Sequence, residues 1–175
     1  GSLRDRKAHA GTHDDGRRPD RHGARLRGGE RVHAGLPALE WHDARRLAGS
    51  RDEAVQQPLW SPDGRLHFIS DRSGWWNLYR WGGNGAEALC PMDAEFGQPF
   101  WNFGLSTYAF ASAQRLVCCI GRNAVSQLAV LDTVSLQLTP IDTPFSSFGN
   151  LAAADGRVLF TGASPLQAAS VGLLH

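Results

Sequence analysis

A serine nucleophile on an α/β scaffold reads Gly-x-Ser-x-Gly, because the serine stands on a strained strand-to-helix turn. The 175-residue chain begins that phrase twice, at Gly104-Leu105-Ser106 and at Gly162-Ala163-Ser164. Both times the closing glycine is missing, and Tyr108 and Leu166 stand in its place. Neither phrase has the strand–helix alternation of a hydrolase sheet around it, so no catalytic residue is assigned. His67 is the one histidine inside the strand-like repeat. A base needs a nucleophile and an orienting group within reach, and a lone strand histidine is ordinarily a surface or half-buried residue. His9 and His13 have the i, i+4 spacing of helical metal ligands, but Gly11 and Thr12 between them oppose a helix. No metal site and no cofactor are expected.

Cys118 and Cys119 are neighbours, and neighbours on a strand point to opposite faces. With Cys90 they make no disulfide framework and read as reduced, packed thiols. What remains is contact chemistry in "SDRSGWWNLYR". Trp75 and Trp76 follow a glycine turn and cannot face the same way. Both are expected to pack within the propeller, with the alternative that one packs while the other meets a partner surface or substrate. Arg72 is expected to pair with Asp71 across the turn, with substrate contact as its alternative role. Arg72, Trp75 and Trp76 are the candidate substrate or interdomain contact residues.

The elements that must position these residues are strands. Ser61-Pro62-Asp63-Gly64 is a type I turn signal, with Pro62 presetting φ and Gly64 closing the turn. "RLHFIS" then alternates, Leu66 and Phe68 against Arg65 and His67. Asp71-Arg72-Ser73-Gly74 makes the next turn, "NLYRW" the next strand, and "GGNG" at 82–85 a third turn before "AEALCP". "QPLW" at 57–60 recurs as "QPFW" at 98–101, which reads as a second opening of the same unit, with Trp60 and Trp101 in the core. "TYAFAS", "RLVCCIG", "QLAVLD" and "LQLTPID" continue it. "LAAADGRVLFTG" begins a third unit, its Asp155-Gly156-Arg157 overlaying Asp63-Gly64-Arg65 and Ala152 taking the place of Trp60. Units of about 40–50 residues with four short strands are β-propeller blades. The expected fold is all-β: a partial β-propeller of about two and a half four-stranded antiparallel blades, behind an irregular N-terminal segment.

That segment, residues 1–44, differs in kind from the propeller text at 45–175. Residues 1–50 carry eleven of the 18 Lys+Arg and seven of the 17 Asp+Glu. One aromatic, Trp41, interrupts text dominated by Arg, Gly, His and Asp, which buries too little apolar area to offset its ordering entropy. It is expected to be irregular, with a short ordered piece around "LEWHDARRLAG". Arg/Gly/His/Asp-rich text is also what a GC-rich gene yields in the wrong frame, so non-native sequence is the second reading. Overall net charge is +1, which makes no case for nucleic acid. No apolar run approaches the roughly 20 residues of a spanning helix, and no apolar signal segment follows the start. The chain opens Gly1-Ser2 and its one methionine is Met92, so a piece of a longer protein is expected.

"WSPDGRLHFISDRSGWWNLYR" resembles the Trp-Ser-Pro-Asp-Gly repeat of TolB-like propellers and of prolyl oligopeptidase-family propellers. "SGWWNLYRW", "FGLSTYAFAS", "LAVLDT", "LTPIDTPFSSFG" and "GRVLFTGASP" are similar, in order, to the N-terminal propeller of bacterial acylaminoacyl- or dipeptidyl-peptidase-like members of that family. The resemblance spans about residues 45–175. It implies a serine peptidase parent whose propeller caps an α/β-hydrolase domain and limits access to short peptides. The triad would then lie outside this chain. The implied function is a non-catalytic propeller fragment that gates or orients peptide substrates. The implied partners are the hydrolase domain of the parent and, through it, peptide substrate; no nucleic acid and no membrane are implied. Open blade edges add self-association. The implied localisation is cytoplasmic. The alternative is a TolB-like propeller acting as a protein-binding scaffold, which implies the periplasm.

Overall fold

In a computed structural model the described residues are 52–99, 101 and 104–175. The readings made on residues 1–44, on His9 and His13 and on "LEWHDARRLAG" lie outside them. All described residues belong to one compact unit. Among them the chain is all β, in three antiparallel sheets.

Blade 1 is a meander of β1 (Val55–Trp60), β2 (Leu66–Ser70), β3 (Asn77–Trp81) and β4 (Ala86–Ala88), hydrogen-bonded in that order. Blade 2 repeats it with β5 (Tyr108–Phe110), β6 (Arg115–Arg122), β7 (Val125–Asp132) and β8 (Leu138–Ile141). Blade 3 has β9 (Ser147–Ala154), β10 (Arg157–Ser164) and β11 (Gln167–Leu174). The turn chemistry read from sequence is what joins them. The Gly64 amide donates to the Ser61 carbonyl at 2.9 Å, and the Gly74 amide to the Asp71 carbonyl at 2.8 Å. Asn123 and Ala124, at φ 51° and 62°, give β6–β7 the left-handed two-residue turn whose twist matches a hairpin.

Period-2 alternation divides the core. One face of blade 1 (Ile69, Leu78) packs on one face of blade 2 (Tyr108, Leu116, Cys118, Leu131). The other face of blade 2 (Ala109, Val117, Cys119, Leu128) packs on blade 3 (Phe148, Leu151, Val158, Phe160). Cys118 and Cys119 thus lie in two different seams, as their adjacency on a strand requires. Leu66, Phe68 and Tyr79 form a third cluster on the opposite face of blade 1. Each fully buried side chain of this size contributes about 1.5–3 kcal/mol.

The repeated phrase does not mark two equivalent elements. "QPLW" is the end of β1, where Trp60 pairs with Leu66. "QPFW" lies in the connection between blades; Trp101 is outside any strand and 85% exposed, and Phe100 is not among the described residues. The residue that occupies the Trp60 position in blade 2 is Phe110, paired with Leu116. In blade 3 it is Ala153, paired with Val158, one residue from the Ala152 of the sequence overlay. The shift arises because two residues, Asp155-Gly156, lie between the paired Ala154 and Arg157, where three, Pro62-Asp63-Gly64, lie between Ser61 and Arg65 in blade 1.

At Gln57 the β1–β2 register slips between Gln56 and Leu59, with Gln57 at φ 45°. A bulge re-aims the side chain, and it tolerates Pro58, which has no ladder donor to give. The Gln57 side chain reaches into blade 2. Its Nε2 donates to Ser106 Oγ at 2.9 Å and to the Tyr108 carbonyl at 2.8 Å. Its Oε1 accepts from the Thr107 amide at 2.8 Å, and its carbonyl from the Tyr108 hydroxyl at 2.7 Å.

Candidate functional site

The three sequence-derived contact residues do not stay together. The β2–β3 turn projects Trp75 outward and turns Trp76 in, and Ser73 Oγ donates to the Trp75 carbonyl at 3.1 Å. Trp76 is half-buried against the seam between blades 1 and 2. Its amide donates to Glu95 Oε2 at 2.8 Å, and its carbonyl accepts from the Phe96 amide at 2.7 Å. Trp75 is 39% exposed.

Arg72 goes to the other face of blade 1. Its guanidinium lies 4.8 Å from the Tyr79 ring and 5.5 Å from the Phe68 ring, and it is ion-paired to Glu53, which also accepts from Ser70 Oγ. The expected Asp71–Arg72 pair is therefore corrected. Asp71 instead accepts from the Ala54 amide at 2.8 Å. A cation over two rings with a carboxylate beside it is satisfied by packing and charge together, so Arg72 closes the blade face.

Trp75 lines a cleft of about 670 Å³ that also takes in Asp93, Glu95, Arg122, Asn123 and Ser126. It is built from three pieces of chain. The first is the β2–β3 turn. The second is the connection between blades, held by buried Asn77, whose amide donates to the Met92 and Ala94 carbonyls at 3.1 and 3.2 Å while its Oδ1 accepts from the Met92 amide at 2.8 Å. The third is the β6–β7 hairpin. Glu95 and Gly121 exchange backbone hydrogen bonds of 2.9 and 2.7 Å, and Arg122 Nε donates to the Asp93 carbonyl at 3.2 Å. The cleft offers one indole face, two carboxylates and one guanidinium. Such a set suits a polar chain with both signs of charge. It is not a nucleophile–base pair: Ser126 is its one hydroxyl, and no histidine lines it. No cluster of three metal-ligating side chains occurs among the described residues.

Sequence reasoning did not find Asp93, Glu95 or Arg122. They carry no local motif, and they meet only because blade 2 docks beside the connection. Equivalent hairpin tips carry further exposed apolar residues: Val125 on β6–β7 and Leu166 on β10–β11, 56% and 99% exposed. A backbone relay, Ser126 to Ser146 at 2.9 Å and Ser146 to Ala163 at 3.0 Å, links these hairpins.

His67 is more deeply buried than the surface or half-buried position expected of it. It is buried, and burial, which outweighs the bond to the Arg65 carbonyl, lowers its pKa to about 4. It does not line the cleft.

No protein-family model matches the chain, and a search of curated proteins finds no match. Solved structures do match. Puromycin hydrolase, alone and as a serine-to-alanine variant complexed with PGG, has a TM-score of 0.67 and 33% identity over 73% of this chain. A puromycin-hydrolyzing peptidase of Mycobacterium tuberculosis has a TM-score of 0.67 and 32% identity over the same share. The match spans 20% of each of those chains. The chain is thus similar, over most of its length, to one part of peptidases several times as long.

Proposed function

We propose that this chain is a β-propeller portion of a serine peptidase of the prolyl oligopeptidase family, and that it admits and orients peptides for a hydrolase domain that it does not itself contain. The observation that carries the reading is the likeness in sequence and fold to puromycin hydrolases, joined to a cleft with peptide-like polarity and no nucleophile–base pair. In this reading Trp75, Asp93, Glu95 and Arg122 contact peptide or the edge of the hydrolase domain. Trp75, Val125 and Leu166 form an apolar rim at the hairpin end of the blades. Arg72 and Trp76 hold the blade.

The purified chain is expected to turn over neither puromycin nor acyl-peptide substrates. Measurable turnover by a homogeneous sample would overturn the assignment of chemistry to another domain. The full native reading frame is expected to carry Gly-x-Ser-x-Gly, then Asp, then His, beyond the propeller. Further blades with no hydrolase text, preceded by an export signal, would favour the scaffold alternative instead.

A further inference from the structure

His67 sits where blade 1 meets blade 2. It is 1% exposed, and its ring stands edge-on to Phe110 at 4.8 Å. Nδ1 lies 3.0 Å from the Arg65 carbonyl. A carbonyl only accepts, so Nδ1 carries the hydrogen and Nε2 presents a bare lone pair. Nε2 is buried and has no hydrogen-bond partner among the described residues. His67 borders a cavity of about 80 Å³ shared with Asp63, Arg65, Arg80, Gln114 and Thr133. That space exceeds what one water needs, but Nε2 itself is closed off from solvent, so it takes a proton only as the seam opens.

The charges around His67 come from one side. The β1–β2 turn brings Asp63 and Arg65, paired at 3.3 Å. β3 brings Arg80, which holds Glu87 of β4 at 2.8 Å and crosses the seam to the Thr133 carbonyl at 3.0 Å. Blade 2 lines the cavity only with uncharged residues, Gln114 and Thr133 among them. An imidazolium here would face two guanidiniums and one carboxylate that is already paired.

We propose that the seam between blades 1 and 2 is a proton-operated switch, closed while His67 is neutral and loosened when Nε2 takes a proton from solvent. This goes beyond the peptidase reading and does not depend on it. The direction follows from linkage. In the open or unfolded chain the imidazole binds a proton below its ordinary value of 6.5, whereas in the closed seam burial, and after it the neighbouring Arg80, delay this to about pH 4. Between these values the open state binds the proton and the closed state does not. The closed state therefore loses about tenfold in its equilibrium per pH unit, roughly 300-fold across the window. Above pH 6.5 and below about pH 4 the contribution of His67 is flat.

The test uses the full chain. Urea unfolding is followed from pH 4 to 8 for the wild type, His67→Gln and His67→Phe, and the ring signals of the wild type are titrated by NMR. The wild-type midpoint is expected to fall below pH 6.5 more steeply than that of either variant, and the His67 ring to titrate near pH 4. A His67 that binds its proton equally well in the closed and open states would shift every pH point equally. Identical slopes in wild type and variants, or a folded-state His67 titrating near 6.5, would overturn the switch. If one variant does not fold, the other variant and the wild-type ring titration still decide.

Discussion

At the scale of single residues, Gln57 and the tryptophan pair separate packing from contact. Gln57 ties β1 to β5 through its side-chain bonds to Ser106, Thr107 and Tyr108. Gln57→Ala leaves the Thr107 amide without its acceptor, and stranding such a group costs about 1–3 kcal/mol; a lowered urea midpoint is the expected reading. Trp76→Ala removes a half-buried ring from the seam and is expected to cost about 2–3 kcal/mol, at or below the range for fully buried aromatics. Trp75→Ala is expected to change stability by less than about 0.5 kcal/mol while weakening peptide binding followed by tryptophan fluorescence. Equal destabilisation by both variants would remove Trp75 from the contact surface. The pair's opposite orientations were only partly legible, because both stand in the turn before β3 and not in a strand, where adjacent residues must alternate. Glu95 and Arg122 were not legible, because the distance between them closes only through a docking event between blades. The burial of His67 was missed for a related reason: its alternation with Leu66 and Phe68 marks it as facing away from them, yet that side faces blade 2 and not water.

At the scale of elements, strands show best where β-branched and aromatic residues are dense, as in "RLHFIS" and "RLVCCIG". β11, "QAASVGLL", gave no such signal, since Ala, Ser and Gly have little intrinsic preference for strands; β10 supplies its partners, with Leu159 opposite Leu173 and Phe160 opposite Gly172. "QPFW" misled because a four-residue identity says nothing about hydrogen-bond partners. Register in blade 2 is set by Phe110 opposite Leu116 and Leu116 opposite Leu131, and Trp101 has no such opposite number. The packing of β10 on β11 makes a sharp expectation. A Cβ at Gly172 would come within 2.2 Å of Phe160 Cζ, so Gly172→Ala should cost about 1–3 kcal/mol by overpacking. Adding Phe160→Leu should give a combined loss smaller than the two single losses added together, read from thermal melts. Strict additivity would mean that the ring moves aside freely.

At the scale of the whole molecule, three sheets stack face to face, but β11 carries no strand on its outer edge among the described residues. That edge has neither charge nor proline, the usual guards against pairing with another chain. Self-association is therefore proposed as a property of this chain. Sedimentation velocity is expected to show concentration-dependent association that Val171→Lys weakens; a monomer at all concentrations would contradict it. The stack also places Cys118 in the seam between blades 1 and 2 and Cys119 in the seam between blades 2 and 3. Burial raises the pKa of both thiols, that of Cys119 to about 12, so neither reacts until its seam parts. Two neighbouring residues thus act as separate clocks for two interfaces. In a Cys90→Ser background, timed labelling with a thiol reagent would tell whether the blades come apart together or peel one at a time. Acid that quickens Cys118 alone would locate the first gap beside His67.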